Sequence, residues 1–148
     1  MNDEKSLMYR FLDRENVIAV LGATINKEKF GYKIYKVVKE SGFTVYPVNP
    51  KYDEIDGDKC YHGLKELPKK PDVVITVVPP SVTEDIVRQC KELGINRVWM
   101  QPGSESDEAI SYCKENGIEV IYHACFVVDG LKKAFDEKNT SPKWELPK

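Results

Sequence analysis

Five short apolar runs punctuate the chain: VIAVL at 17–21, FTVYPV at 43–48, DVVITVV at 72–78, NRVWM at 96–100 and IEVIY at 118–122. The first is unbroken. Alternation disappears in this way when neither face of a strand meets water. Helical spacing fills the intervals. Tyr32, Ile34, Tyr35, Val37 and Val38 define a helix over about 31–41 that stops at Gly42. Val82, Ile86, Val87, Cys90 and Leu93 form one stripe behind a capping box of Ser81 and Glu84, and Gly94 ends it. Ala109, Ile110 and Cys113 follow Ser104 as a candidate N-cap, up to Gly117. Leu7, Met8, Phe11 and Leu12 predict a short leading helix, and a last one is expected over about 130–137. Pro47 is an oddity inside the second strand, because proline lacks the ladder donor; it belongs near the strand's end or where no partner faces it. Residues 49–61 read as a polar loop.

Five buried-type strands alternating with helices predict an α/β, three-layer Rossmann-type fold: one domain around a five-stranded parallel sheet. The expected strand order is 3-2-1-4-5, with the reversal between strands one and four. Residues 1–15 would be the leading helix, 16–137 the Rossmann-type domain and 138–148 a tail. Ligands of such sheets bind outside the carboxyl ends of the strands at the reversal. That geometry gathers Gly22–Ile25, Asn49–Lys51, Val78–Ser81, Gln101–Ser104 and His123–Phe126 into one rim.

Composition narrows the chemistry. The 148 residues carry a formal charge of −2, which gives no basis for nucleic-acid or membrane binding. No apolar run approaches membrane-spanning length, and MNDEKSLMYRFLDRE is too charged for a signal peptide. Cys60, Cys90, Cys113 and Cys125 form no CxxC pair, so reduced thiols in a cytoplasmic protein are expected, with no metal site. At the rim, Gly22 suits either an ordinary tight turn or a phosphate held by backbone N–H groups at a helix N-terminus. The fingerprint G-x-G-x-x-G is missing, since the next glycine is Gly31. Asn49 and Lys51 stand where an NAD site wants an acid for the ribose. A lysine there favours a phosphorylated ribose, as in NADP or coenzyme A; the same residues also serve as turn formers. Pro79 and Pro80 make a rigid wall poor in donors, and also end the third strand.

Residues 16 to about 130 resemble the small single-domain CoA-binding protein family, which is similar in turn to the CoA-binding N-terminal domain of the succinyl-CoA synthetase α subunit. The stretches that carry the resemblance are IAVLGAT, FGYKIYKVVKESGFTVYPVNPKY, GDKCYHGLKELP, VPPSVTEDIV, VWMQPG and the HACF segment, in that order. It implies coenzyme A or an acyl-CoA as the small-molecule nucleotide ligand, and no catalytic residues. It would place the phosphates on Gly22, Ala23, Thr24 and Ile25, with Lys33 reaching the pyrophosphate. Asn49, Pro50 and Lys51 would lie beside the adenosine; Val78, Pro79 and Pro80 would wall the adenine and the arm. Gln101 and Gly103 would turn near the pantetheine. Pro102, His123 and Ala124 depart from the family's pattern, at the end where the thiol would lie.

His123 and Cys125 are two apart, so an extended chain would put them on one face, as a Cys–His nucleophile requires; a strand-end cysteine is also a common small buried hydrophobe. His62 has no evident carboxylate partner. Asp53, Glu54, Asp56 and Asp58 lack the ladder of an EF-hand and read as a solvated loop. Two functions compete: a CoA or acyl-CoA binder acting as carrier, sensor or partner module, and an NADP-using oxidoreductase or ligase component that needs a partner subunit. The stretch after residue 130 is too short for a substrate domain, which favours the binder. A homodimer and a partner enzyme both stay open.

Overall fold

The computed structural model describes residues 3–133. The order is α1 (Asp3–Leu12), β1 (Val17–Leu21), α2 (Phe30–Glu40), β2 (Thr44–Val48), β3 (Glu54–Ile55), β4 (Asp58–Lys59), a 3-10 turn (Leu64–Glu66), β5 (Val73–Thr76), α3 (Pro80–Leu93), β6 (Arg97–Met100), α4 (Asp107–Glu115), β7 (Glu119–Ile121) and a π-helical segment (Phe126–Lys132). The expected helix over 130–137 is replaced, as far as Lys133, by that π-helical segment and its end; its remainder and the tail 138–148 lie outside the described residues.

The α/β architecture with five parallel strands stands as expected. Each strand splits its side chains between two cores. Ile18 and Val20 pack with Trp99, Phe126, Phe11 and the buried face of α2. Ala19 and Leu21 pack with Ile86, Val87, Cys90, Ile110 and Cys113 of α3 and α4. Both faces of β1 are therefore dry, which explains its unbroken apolar run.

The strand order needs correction. The sheet runs β2-β1-β5-β6-β7, so the third long strand pairs with β1 on the side away from β2. In the expected order the second strand would have been interior. Pro47 argues against that, since an interior strand hydrogen-bonds on both sides and proline has no N–H. Thr44–Val48 instead takes the edge, where Pro47 lies opposite Val20 and its carbonyl accepts from Tyr61 N–H at 3.0 Å. The uniformly buried VVIT of β5 takes an interior place. The order now reverses between β1 and β5, so the rim is centred on the tips of those two strands.

Two caps also differ. Ser106, not Ser104, caps α4, its Oγ accepting from Ala109 N–H at 3.0 Å; Ser104 is buried. α3 begins at Pro80 with no side-chain cap, and Glu84 accepts from Ser106 Oγ at 2.7 Å. Thr83 takes the buried place expected for Val82, which is 40% exposed.

Candidate functional site

A groove of about 750 Å³ opens at the tips of β1 and β5. It is lined by Gly22 and Thr24, by Asn26 to Gly31 apart from Lys27, by Asn49, Lys51 and Tyr52, and by Val77 to Pro79. Gly22 turns the chain with φ +98°, and its N–H donates to Val48 carbonyl at 3.0 Å. A Cβ there would collide with the Val77 carbonyl oxygen and lie 2.8 Å from Val78 Cγ1. The turn thus needs glycine twice, for its backbone angle and for the close approach of two strand tips. Gly31 meets the same turn from the helix, because a Cβ on it would collide with the Gly22 carbonyl oxygen.

The N-terminus of α2 faces this groove through Lys29, Phe30 and Gly31. No side chain caps it and its first turn holds no acid. Unsatisfied N–H groups at such an end carry partial positive charge and favour an anion. Lys29 and Lys51 add two cations, against the single acid Glu28.

Asn49 has a bracing role that residue type alone did not reveal. Its Nδ2 donates to Ala23 carbonyl at 2.9 Å and its Oδ1 accepts from Lys51 N–H at 2.9 Å. It ties the tip of β2 to the turn after β1; a carboxylate could not make the first bond. Tyr52 adds a second tie, its hydroxyl 3.1 Å from Thr24 Oγ1.

The acidic loop is a folded device. Asp56 and Gly57, with φ of +52° and +81°, turn the β3–β4 hairpin, and the Asp-Gly pair was its legible signal. Tyr32 of α2 donates to Asp56 Oδ2 at 2.5 Å and Tyr35 to Asp58 Oδ2 at 2.6 Å. The hydrogen bond to Asp56 pushes the Tyr32 phenol up to about 12. Burial, then Asp58, pushes Tyr35 up. Asp58 is held below the usual carboxylate range by Lys39 first and Tyr35 second. His62 does have a carboxylate partner: Nε2 lies 2.8 Å from Asp53 Oδ1.

Of the residues singled out in the sequence, Gly22, Thr24, Asn49, Lys51, Val78 and Pro79 line the groove. Ala23 is fully buried beneath it, and Ile25 is 56% exposed outside its lining. Lys33 sits one turn into α2 with its ammonium 5.5 Å from the Phe30 ring centre. Pro50 is an exposed turn residue, and Pro80 starts α3. Gly103 lines a second groove of about 260 Å³ that continues the first through Phe30, Val77, Val78 and Pro79. Gln101 is only 4% exposed and braces the rim: Oε1 accepts from Phe126 N–H at 2.6 Å and Nε2 reaches Cys125 Sγ at 3.4 Å. Asn26, Glu28, Lys29, Phe30, Gly31, Tyr52 and Val77 line the groove without having been candidate site residues. The pair Lys27 and Lys29 in the loop was the available hint, and only Lys29 is on the lining.

His123 and Cys125 do not share an extended face. β7 stops at Ile121 and His123 adopts φ +58°, which breaks the alternation. His123 Nδ1 instead lies 4.0 Å from Glu105 Oε2. Cys125 is half-buried while the other three thiols are buried. Among the described residues no cluster of three metal-type ligands occurs, and no helix is long and apolar enough to cross a membrane.

The acetate–CoA ligase (ADP-forming) of Methanocaldococcus jannaschii is 34% identical over 112 residues, 76% of this chain and 16% of that enzyme. The α subunit of acetate–CoA ligase (ADP-forming) II of Pyrococcus furiosus is 40% identical over 82 residues, 55% of this chain and 18% of the subunit. The chain thus spans less than a fifth of the length of these relatives. A solved hypothetical protein of Pyrococcus horikoshii OT3 is 32% identical with a TM-score of 0.81, covering 89% of this chain and 92% of that one. A family model described as CoA binding domain matches residues 16–130, the sheet and its rim together, and the chain belongs to that CoA binding domain family.

Proposed function

We propose that the chain binds coenzyme A, free or acylated, in the groove at the tips of β1 and β5. It acts there as a carrier, sensor or partner module without catalysis of its own. The observation that carries this reading is the convergence of the Gly22 turn, the uncapped N-terminus of α2 and the ammonium groups of Lys29 and Lys51 on one groove. Such a set of fixed dipoles and cations suits a pyrophosphate and a ribose phosphate. Family membership supports the same ligand. The phosphates meet Gly22, Thr24, Lys29 and the start of α2; the adenosine lies toward Asn49, Lys51 and Tyr52; the arm runs along Val78 and Pro79 toward Gly103.

A second reading is favoured by the ligase relatives, in which the matched region is a minor part of a longer protein. There the chain supplies the CoA site of a ligase whose other parts are separate. Both readings need CoA binding, and thermal shift tests it. A ligand that binds only the native state raises the midpoint by mass action. CoA should raise it and NAD should not. A shift with NADP and none with CoA overturns the proposal in favour of an NADP site.

A further inference from the structure

We infer that the second groove selects acyl-CoA thioesters whose acyl group is uncharged and apolar, and rejects those ending in a carboxylate. The inference rests on the proposed CoA reading, because it takes the groove as the continuation of the arm. It is carried by a separate observation, the chemistry of the lining at the far end.

Seven residues line that end: Phe30, Val77, Val78, Pro79, Pro102, Gly103 and Ser104. No charged side chain is among them. The one hydroxyl, of Ser104, is 2% exposed and already bonded to Gln101 carbonyl at 2.7 Å, Thr76 carbonyl at 3.0 Å and Thr76 Oγ1 at 2.8 Å. The main chain is similarly occupied. Val77 N–H donates to Leu21 carbonyl, Ser104 N–H to Gln101 carbonyl and Gly103 N–H to Glu105 Oε1. Pro79 and Pro102 have no N–H at all. What remains on the lining is the backbone N–H of Phe30, at the start of α2 where the phosphates sit, and that of Val78, which suits the carbonyl of a thioester and offers no cation to a carboxylate.

The local field points the same way. Glu105 follows the Pro102–Gly103–Ser104 turn directly, and its Oε2 is buried without a hydrogen-bond partner. Lys29 and Lys51 line the first groove and not the second, and Lys33, whose ammonium lies 5.5 Å from the Phe30 ring centre, lines neither. A carboxylate brought against this lining gives up water and finds no charged side chain on the lining itself to replace it. An alkyl group there covers Phe30, which is 61% exposed, and gains burial for it.

Butyryl-CoA and succinyl-CoA form the deciding pair, because their four-carbon acyl groups differ only in a terminal methyl against a carboxylate. Calorimetry with CoA, butyryl-CoA and succinyl-CoA should place butyryl-CoA at least as tight as CoA. Succinyl-CoA should be about tenfold weaker than butyryl-CoA, the scale of one charged group left without a partner. Pro102→Lys supplies the missing cation at an exposed turn position and should bring the two thioesters within about threefold while moving butyryl-CoA less than twofold. If CoA itself fails to bind, the CoA reading falls and takes this inference with it. If CoA binds and succinyl-CoA matches butyryl-CoA, the CoA reading stands and only the selectivity is overturned. An equal gain for all three ligands in Pro102→Lys also counts against it, since that is the signature of general attraction to phosphate.

Discussion

Three glycines allow the cost of the turn beneath the groove to be separated into its physical parts. Gly42→Ala, Gly31→Ala and Gly22→Ala form the series. Gly42 has φ +93° and open space around its missing Cβ, so its substitution isolates the left-handed backbone penalty. That is about 1–2 kcal/mol, reduced by the lower entropy of the unfolded alanine chain. Gly31 has ordinary helical geometry, but its Cβ would strike the Gly22 carbonyl oxygen. Overpacking against rigid backbone costs about 1–3 kcal/mol, against which alanine regains up to about 1 kcal/mol of helix propensity. Gly22 suffers both penalties at once: φ +98°, and a Cβ pressed on the Val77 carbonyl and Val78. The expected loss is about 3–5 kcal/mol, a large part of a total stability of about 5–15 kcal/mol. Urea unfolding monitored by far-UV circular dichroism, at unchanged m, reads the three values. The expected ranking is Gly22 above Gly31 above Gly42. If Gly22→Ala costs no more than Gly42→Ala, the tips of β1 and β5 are not packed as described, and the close approach cannot be the reason for glycine at this turn.

Other outcomes follow from the same geometry. Lys51→Ala keeps the backbone bond to Asn49 and should leave folding intact while weakening CoA by about 1–2 kcal/mol. Calorimetry with dephospho-CoA should find wild type and variant equal, and an equal weakening of both ligands would rule out Lys51 as the reader of the ribose phosphate. Cys125 should react first with iodoacetamide in the native state, and with CoA disulfide, because Cys60 is buried and burial pushes Cys90 and Cys113 up to about 12; intact mass and peptide mapping that place the first adduct on Cys60 would refute this. Asp58, held low by Lys39 and Tyr35, stabilises the fold above the ordinary aspartate value of about 4, and that stabilisation is lost as pH falls through its lowered value. Asp58→Asn should therefore be less stable than wild type at pH 7, with a gap that narrows as pH falls below the ordinary aspartate value of about 4; a gap independent of pH would mean that the charge of Asp58 contributes nothing.

Much of the fold was legible because burial on both faces leaves a plain mark. VIAVL and VVIT read as strands buried on both faces, although the expected order put VVIT at the sheet's edge, and the stripes of α2 and α3 followed a helical period. The strand order was not legible from alternation, although Pro47 already spoke against an interior second strand. The acidic run 53–58 looked solvated because its partners, Tyr32, Tyr35, Lys36 and Lys39, lie about twenty residues away on one face of α2. Strand tips gave the central lining residues Gly22, Asn49, Lys51, Val78 and Pro79. Lys29, Phe30 and Tyr52 belong to loops whose path depends on tertiary ties such as Asn49 to Ala23 and Tyr52 to Thr24. No residue pattern announces those ties in advance. Gln101 lay at the expected turn, but a side chain hydrogen-bonded to Phe126 and Cys125 is a brace, and sequence cannot distinguish a brace from a ligand contact.

The edge position of β2 has a colloidal consequence. An exposed strand edge is a template on which another chain can add, and edge-to-edge growth is the usual route from a soluble sheet to a fibril. Here one edge carries Pro47 and is overlaid near its end by Tyr61, which bridges to Val48, donates to the Pro47 carbonyl and accepts from Asn49 N–H. The opposite edge, β7, is three residues long, ends at Ile121 and is soon followed by a left-handed His123. Among the described residues neither side offers a long row of open donors and acceptors, so growth of the sheet by edge-to-edge addition is disfavoured.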